Sequence, residues 1–270
     1  MKKINLINLD KSDIKYELIT FPDGEPHIKL DEIDRKDEYE VICRITNPNE
    51  LFVLMQVADI LDRQAVRWEL YITYLMSQRM DRVINFNESF SLKVVADVLN
   101  GFKCDVINLF EPHSFRIFSL LDRNTCFLEW EHDFDYLLKD GIVCYPDRGA
   151  KERYFSSENK DIIVLNKKRD LENKGKILSI DIESCPDIPN ESIKRIIISD
   201  DLCDAGGTFC WAAKILKEKY PNAQLDIFVR HMVNPVGIKN LSENFDNVFF
   251  TNSYRDWDNL PENCHLIKLI

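Results

Sequence analysis

The chain has 270 residues and a formal net charge of -11, with 45% hydrophobic and 30% charged residues. This composition is typical of a soluble globular protein with two domains of roughly 100–150 residues each. The acidic balance argues against a broad surface for nucleic acid or anionic membranes, and no apolar run approaches the roughly 18–20 residues of a membrane span. The eight cysteines form no C-x-x-C pair and no signal peptide is evident, so we expect reduced thiols in a cytoplasm.

The N-terminal part predicts strands at 4–9, 16–20 and 40–45, with a polar turn after the second strand. The sequence of this turn alternates Phe21, Asp23 and Glu25 with Pro22 and Gly24. An exposed phenylalanine beside two carboxylates could stack on a purine and hydrogen-bond to it. A plain hairpin turn is the alternative.

Two polar segments follow predicted strands farther along the chain. A helix at 48–61 leads to a strand at 70–75, after which Arg79 and Arg82 flank Asp81. Guanidinium groups suit phosphates, although a solvated charged loop would show the same pattern. A helix at 89–99 and a strand at 104–110 then lead to His113, at the strand end where open α/β sheets bind ligands. A lone histidine is, however, more often structural.

The middle of the chain contains the expected domain boundary, around residues 133–140. A short strand at 141–145 precedes Asp147 and Gly149, and a strand at 161–165 precedes the cations Lys167, Lys168 and Arg169. A returning strand is predicted at 177–181. The clustered cations could be a solvated strand edge. The charged segment 171–176 between the two strands, which contains one Gly, is consistent with a lid that orders on binding.

One turn in the second half carries the strongest chemical pattern. The β-branched run 196–198 predicts a buried parallel strand, and helical spacing begins at Phe209. Between them lie acidic residues, two glycines and a hydroxyl: Asp200, Asp201, Asp204, Gly206, Gly207 and Thr208. A glycine turn that opens a helix can bind an anion, and carboxylates suit sugar hydroxyls or a divalent cation. The turn therefore predicts a sugar-phosphate site, with an ordinary solvated turn as the alternative.

These segments, in this order, resemble those of a known enzyme family. The turn at 200–208 resembles the phosphoribosyl-diphosphate loop of both type I phosphoribosyltransferases and ribose-phosphate diphosphokinases. The segments at 21–25, 79–82, 111–114, 146–150 and 251–252 are similar to motifs of the diphosphokinases, including their divergent, phage-like branch. The chain departs from the family pattern at several positions: Met80, Val83, Glu111 and Ala150 replace Gln, Lys, Asp and Gly.

The resemblance implies an α/β fold of two tandem phosphoribosyltransferase-like domains, with parallel sheets flanked by helices. Residues 1–137 would form the ATP-side domain and residues 138–255 the ribose-phosphate-side domain. Residues 256–270 would be a tail that could return to pack on the first domain.

The resemblance also implies Mg²⁺-dependent transfer of the β,γ-diphosphoryl group of ATP to the 1-hydroxyl of ribose 5-phosphate, releasing AMP. The catalytic residues would be Lys167, with Lys168 as a competitor, and Arg169. The metal ligands would be His113 and Asp147. The ATP-binding residues would be Phe21, Asp23, Glu25, Arg79, Asp81, Arg82 and His113. Of these, Phe21, Asp23 and Glu25 would contact the adenine of a neighbouring subunit in a homodimer or larger oligomer. The ribose phosphate would be bound by Asp147, Asp200, Asp201, Asp204, Ala205, Gly206, Gly207 and Thr208.

Two other functions remain open from the sequence. One branch of relatives diphosphorylates ADP-ribose in NAD salvage, and Trp211, directly after the turn, could stack a second adenine or simply pack. Some relatives are catalytically silent regulatory subunits, although the retained carboxylates and cations argue against this reading. We rank ribose 5-phosphate first, and we expect neither nucleic acid nor a membrane as a partner.

Overall fold

The computed structural model describes residues 1–122, 124–128, 134–154, 161–170 and 176–269. For residues 124–128, 135, 168–170 and 176–178 it describes the backbone alone. The chain divides into two compact units, Met1–Glu131 and His132–Leu269.

The first unit is built on a parallel sheet with an added hairpin. Its strands are β1 (Lys2–Asn5), β2 (Tyr16–Thr20), β3 (Pro26–Leu30), β4 (Glu38–Ile45), β5 (Arg67–Leu75), β6 (Val106–Phe110) and β7 (Asn124–Leu128). Its helices are α1 (Pro48–Gln64), α2 (Ser91–Asn100) and α3 (Ile117–Leu120), and a 3₁₀ turn spans Leu9–Lys11. The sheet order is β1-β4-β5-β6-β7, with all neighbours parallel. The antiparallel pair β2-β3 forms a separate hairpin.

Local signals at both ends define α1. The Asn47 side chain accepts hydrogen bonds from the first-turn N–H groups, Pro48 opens the helix, and left-handed Ala65 (φ 55°) ends it. Leu54 and Leu61 lie on its inner face and are fully buried in the core. The first predicted strand ends earlier than expected, at Asn5, because the side chain of this residue accepts the N–H groups of residues 7 and 8.

The second unit contains a larger sheet with helices connecting its parallel strands. Its strands are β8 (Ile142–Tyr145), β9 (Ile162–Asp170), β10 (Lys176–Ser184), β11 (Arg195–Cys203), β12 (Gln224–Met232), β13 (Asn247–Thr251) and β14 (Cys264–Ile267). Its helices are α4 (Asp135–Leu138), α5 (Arg148–Tyr154), α6 (Gly207–Lys219) and α7 (Pro235–Ser242), with a 3₁₀ turn at Asn190–Ser192. The order is β10-β9-β8-β11-β12-β13-β14, and β10 alone among the described strands of this sheet pairs antiparallel. The predicted α/β fold class, with parallel sheets flanked by helices, is confirmed.

The unit boundary and the tail differ from the sequence-based expectation. The expected boundary was 137/138, but Leu137 and Leu138 of α4 are buried in a cluster with Val143 of the second unit. Residues 264–267 form β14 and pair in parallel with β13. The described part of the tail therefore belongs to the second unit, because its strand completes the sheet edge there.

No disulfide joins the cysteines whose side chains the structure describes. Among the described regions no helix is both long enough and apolar enough to cross a membrane.

Core packing of α1 generates a first prediction. Leu54→Ala removes a fully buried side chain and should destabilise the first unit by about 2–5 kcal/mol. The matched control is Met55→Ala, because Met55 is 40% exposed on the same helix and its truncation should change stability by about 0.5 kcal/mol or less. Urea unfolding measures both, and equal shifts would contradict this placement of the helix.

Candidate functional site

The turn singled out in the sequence joins β11 to α6. β11 extends to Cys203, so Asp200 and Asp201 lie within its last residues rather than after it. Gly206 has a φ of +79°, in the left-handed region that glycine adopts without strain. It precedes α6, and no described side chain caps this helix. The first N–H groups of α6 are therefore available to an anion.

Helix α7 holds this turn in place. The side-chain amide of Asn234 donates to Asp204 Oδ1 at 2.9 Å, and that of Asn240 donates to the Ala205 carbonyl at 2.8 Å. Gly237 allows the close approach, since a Cβ at this position would overlap the carbonyl oxygen of Asp204. Asp204, which the sequence predicts in the anion-binding turn, is therefore hydrogen-bonded to the residue that caps α7.

The carboxyl ends of neighbouring strands bring the predicted acidic and basic residues of the second unit together. β8 lies between β9 and β11. Asp147 follows β8, and its Oδ1 accepts the Ala150 N–H at 3.0 Å, which caps α5. The Lys167 ammonium of β9 lies 3.5 Å from Asp147 Oδ2. This ion pair links the expected metal ligand to the expected catalytic lysine.

Asp200 and Asp201 have different surroundings. Asp201 is 3% exposed, and its Oδ2 lies 2.7 Å from an Arg153 guanidinium nitrogen. Burial, and then the negative charges of Asp201 and Asp147, raise the pKa of Asp200 well above its ordinary value of 3.8. Asp147, Asp200 and Asp201 therefore form one region of concentrated negative charge.

The strand that carries the expected catalytic cations is longer than predicted. The sequence indicated a loop at 166–170, but β9 continues through Asp170 because it pairs antiparallel with β10. Lys167 pairs with Ile180 across the ladder, and the backbone of Arg169 pairs with Ile177. The side chains of Lys168 and Arg169, and residues 171–175 of the expected lid, lie outside what the structure describes.

In the first unit, two loops hold the residues expected to bind phosphates. They follow β5 and β6, which are neighbours in the sheet. Ser77 (φ 68°) and Glu111 (φ 42°) occupy left-handed conformations at the starts of these loops. Such conformations are unusual for residues other than glycine and cluster at functional sites.

Hydrogen bonds join the two loops. The His113 N–H donates to Gln78 Oε1 at 2.6 Å, and the Ser114 hydroxyl donates to Asp81 Oδ2 at 2.8 Å. Arg82 forms a fork on Asp81, at 2.7 and 3.0 Å, and Arg116 Nε lies 3.7 Å from the same carboxylate. The Arg82 hydrogen bond is the main cause that lowers the pKa of Asp81.

These bonds bring Asp81, Arg82 and His113 together, with Arg79 exposed on the same loop as Asp81. Asp81 serves as the anchor of this group.

The hairpin residues expected to contact adenine are on a different element. Phe21 is 46% exposed in the turn between β2 and β3, with its ring centroid 6.1 Å from that of His27. Asp23 Oδ1 accepts the Glu25 N–H at 3.1 Å. Gln56 of α1 bonds to the hairpin backbone. Hence the hairpin is fixed to α1 and presents its polar and aromatic side chains outward.

The side chains that could bind a metal limit how the expected magnesium ion can be held. In the described part of the chain, no group of three or more His, Cys, Asp or Glu side chains could hold a metal by itself. Mg²⁺ in phosphoryl-transfer sites is usually held by one or two carboxylates together with substrate phosphates and water. The region of Asp147, Asp200 and Asp201 fits an ion bound in that way.

Several residues of these sites were not found from the sequence. Arg153, Asn234 and Gly237 contact the acidic turn or its strand from elements distant in sequence, and Gln78 and Ser114 bridge two loops. Only Ser114 lay within a motif. The others carry no local signal, since their roles depend on long-range pairing.

The fold and the turn define the class of protein: an α/β chain with two phosphoribosyltransferase-like units. Three curated relatives of this chain carry the name ribose-phosphate pyrophosphokinase. The protein from Helicobacter hepaticus is 26% identical over 258 residues, covering 91% of this chain and 81% of its own. The Helicobacter pylori protein is 26% identical over 86% of this chain and 75% of its own. That from Cereibacter sphaeroides is 30% identical over 73% of this chain and 61% of its own.

A solved structure gives the same result for the fold. Phosphoribosylpyrophosphate synthetase from Mycobacterium smegmatis superposes with a TM-score of 0.76 over 97% of this chain and 88% of its own, at 20% identity. No family model matches the chain. The predicted resemblance is confirmed: the chain is similar in sequence to ribose-phosphate pyrophosphokinases over most of its length, and it shares the fold of a phosphoribosylpyrophosphate synthetase.

The contact between α7 and the turn yields a second prediction. Gly237→Ala would press a methyl group on the Asp204 carbonyl and should destabilise the second unit by about 1–3 kcal/mol in urea unfolding. Val236→Ala, at a 51% exposed position of the same helix, is the control and should stay close to wild type. Unchanged stability of Gly237→Ala would contradict the close approach.

The raised pKa of Asp200 yields a third prediction. The folded state favours the protonated carboxyl, so the stability this group gives is complete below its ordinary pKa of 3.8 and is lost as the pH rises through the raised value. Asp200→Asn should therefore raise the melting temperature at pH 8 by roughly 2–8 °C and give no advantage near pH 4. Asp187→Asn, an exposed carboxylate, is the control. A gain that is equal at both pH values would contradict the shift.

Proposed function

We propose that the chain transfers the β,γ-diphosphoryl group of ATP to the anomeric 1-hydroxyl of ribose 5-phosphate, giving phosphoribosyl diphosphate and AMP. The observation that carries this proposal is the acidic strand end of β11, followed by a left-handed glycine and an uncapped helix. This combination offers carboxylates to sugar hydroxyls and N–H groups to a phosphate within one short segment.

In this proposal the acceptor binds at the turn. The N–H groups of residues 205–208 and the Thr208 hydroxyl hold its 5-phosphate, while Asp200 and Asp201 accept hydrogen bonds from its 2- and 3-hydroxyls. Support comes from the fixed position of the turn, since α7 holds both Asp204 and Ala205. A rigid cradle lowers the entropic cost of orienting the acceptor.

ATP binding is assigned to the first unit. Arg79 and Arg82 would hold the phosphates, with His113 from the adjoining loop, and Asp81 would orient Arg82 through its fork. Phe21, Asp23 and Glu25 would contact the adenine of a neighbouring subunit, so the proposed active form is a homodimer or larger. The outward exposure of Phe21 supports this assignment.

Catalysis in this scheme consists of positioning and charge stabilisation. Lys167 and Arg169 would meet the charge that develops on the β-phosphoryl group in the transition state. Between Lys167 and Lys168 we choose Lys167, because its ammonium reaches Asp147. A bound Mg²⁺, held by Asp147 together with substrate oxygens, would neutralise phosphate charge. No protein nucleophile is needed.

ADP-ribose is the second candidate acceptor. Trp211 supports it, being 50% exposed on α6 one turn beyond the cradle, on a surface groove with Lys214 and Lys217. An exposed indole can stack on a base. The product would then be ADP-ribose 1-diphosphate, as in NAD salvage.

AMP formation tests the enzyme and its acceptor together. Purified protein with Mg-ATP should release AMP with ribose 5-phosphate faster than with ADP-ribose, as measured by chromatography. AMP formation with ADP-ribose alone would reverse the ranking. No AMP with either acceptor would support a catalytically silent regulatory homologue.

The role of Asp201 yields a fourth prediction. Asp201→Asn keeps the shape of the side chain but removes its negative charge, which accepts the sugar hydroxyl hydrogen bond. The kcat/KM for the sugar phosphate should therefore fall about 100-fold or more. Asp187→Asn should remain close to wild type, because Asp187 is exposed and outside the proposed site. Wild-type kinetics for Asp201→Asn would remove this carboxylate from the mechanism.

A further inference from the structure

Two arginines that belong to none of the assigned sites lie behind the acidic end of β11. The Arg153 side chain is 16% exposed and Arg230 is 4% exposed. They come from different elements, α5 and β12. Arginine is rarely buried without a specific partner, so their contacts indicate what they do.

Arg153 contacts one of the proposed acceptor-binding carboxylates directly. Its Nη1 lies 2.7 Å from Asp201 Oδ2, and the Asp201 side chain is only 5% exposed. A charge-assisted contact of this length restricts the orientation of a carboxylate.

Arg230 fixes the backbone beside the same carboxylates. Its Nη1 donates to the Ser199 hydroxyl at 2.6 Å and to the Asp200 carbonyl at 3.2 Å. Its guanidinium carbon lies 3.7 Å from the Tyr154 ring centroid and 4.6 Å from that of Phe228. The Arg230 guanidinium therefore contacts two aromatic rings.

Tyr154 connects the two arginines. It follows Arg153 in the chain, the Arg153 guanidinium carbon lies 5.7 Å from its ring centroid, and its carbonyl accepts the Tyr145 hydroxyl at 2.9 Å. This hydrogen bond fixes the end of α5 to β8. The backbone that carries the Arg153 side chain is therefore held in place.

Stability alone does not account for this arrangement. A buried ion pair is seldom more stabilising than apolar side chains of similar volume, although removing one partner is costly. Here the pair lies beside Asp147 and Asp200, where further negative charge accumulates. The buried Arg153 guanidinium therefore restricts the position of the Asp201 carboxylate beside it.

We infer that Arg153 is a positioning residue for the acceptor: it holds the Asp201 carboxylate in the orientation that binds a sugar hydroxyl, while Arg230 and Tyr154 hold the strand and the arginine. This inference rests on the proposed function. Arg153 itself is not assigned a contact with either substrate.

The test compares KM for the acceptor with KM for ATP. Arg153→Met should raise the acceptor KM about 30-fold and leave the ATP KM within about twofold of wild type. Arg153→Lys keeps the cation but loses the planar guanidinium, so it should raise the acceptor KM only about threefold. The double variant Arg153→Met/Asp201→Asn should have the acceptor kcat/KM of Asp201→Asn alone, because the two residues act as a unit.

The matched control is Arg148→Met. Arg148 lies on the same helix, is 74% exposed and pairs with Glu183 at 2.8 Å, so its loss should leave both KM values unchanged. If Arg153→Met does not fold, Arg153→Lys decides, and an unchanged acceptor KM would overturn the inference. Equal rises in both KM values for a folded variant would also overturn it, since they would indicate general distortion.

The experiment separates this inference from the function on which it rests. AMP formation by wild type and Arg148→Met, with Arg153→Met retaining the wild-type acceptor KM, would overturn the positioning role alone. Absence of AMP from wild type and Arg148→Met would overturn both.

Discussion

The accumulation of negative charge at one edge of the second sheet is the constraint on which the candidate site depends. Parallel strands end at the same edge, so Asp147 after β8 and Asp200 and Asp201 at the end of β11 meet there. Like charges brought together this closely oppose ionisation. Lys167 and Arg153 offset part of this charge by pairing with two of the three carboxyls. What remains is a polar surface suited to sugar hydroxyls and a cation.

The first unit also has charged side chains in two loops that follow neighbouring parallel strands. These loops, 76–90 and 111–116, contain three arginines and one histidine together with three carboxylates. One carboxylate, Asp81, accepts hydrogen bonds from Arg82 in its own loop and from Ser114 in the other loop. The left-handed Ser77 and Glu111 mark the points where each chain leaves its strand.

Features of the fold and the site that form between residues close in the sequence could be predicted, whereas features that need residues far apart in the sequence could not. The turn at 204–208 was predictable because a strand, glycines and a helix start are local patterns. The extension of β9 through 166–170 was not, because charged residues resemble a loop until β10 pairs with them. Arg153 and Gly237 gave no signal, since each matters only through a residue about 30 or more positions away. The tail likewise formed β14, because the edge of β13 offered it a pairing partner.

In the proposed reaction a diphosphoryl group, rather than a single phosphoryl group, moves from ATP to the 1-hydroxyl oxygen of the acceptor. Phosphorus NMR of a reaction with Mg-ATP and ribose 5-phosphate tests it most directly. We predict equal amounts of AMP and of a diphosphate attached at C1 of the sugar. Formation of ADP with a sugar that carries single phosphates at C1 and C5, or consumption of ATP that does not depend on the acceptor, would contradict this reaction.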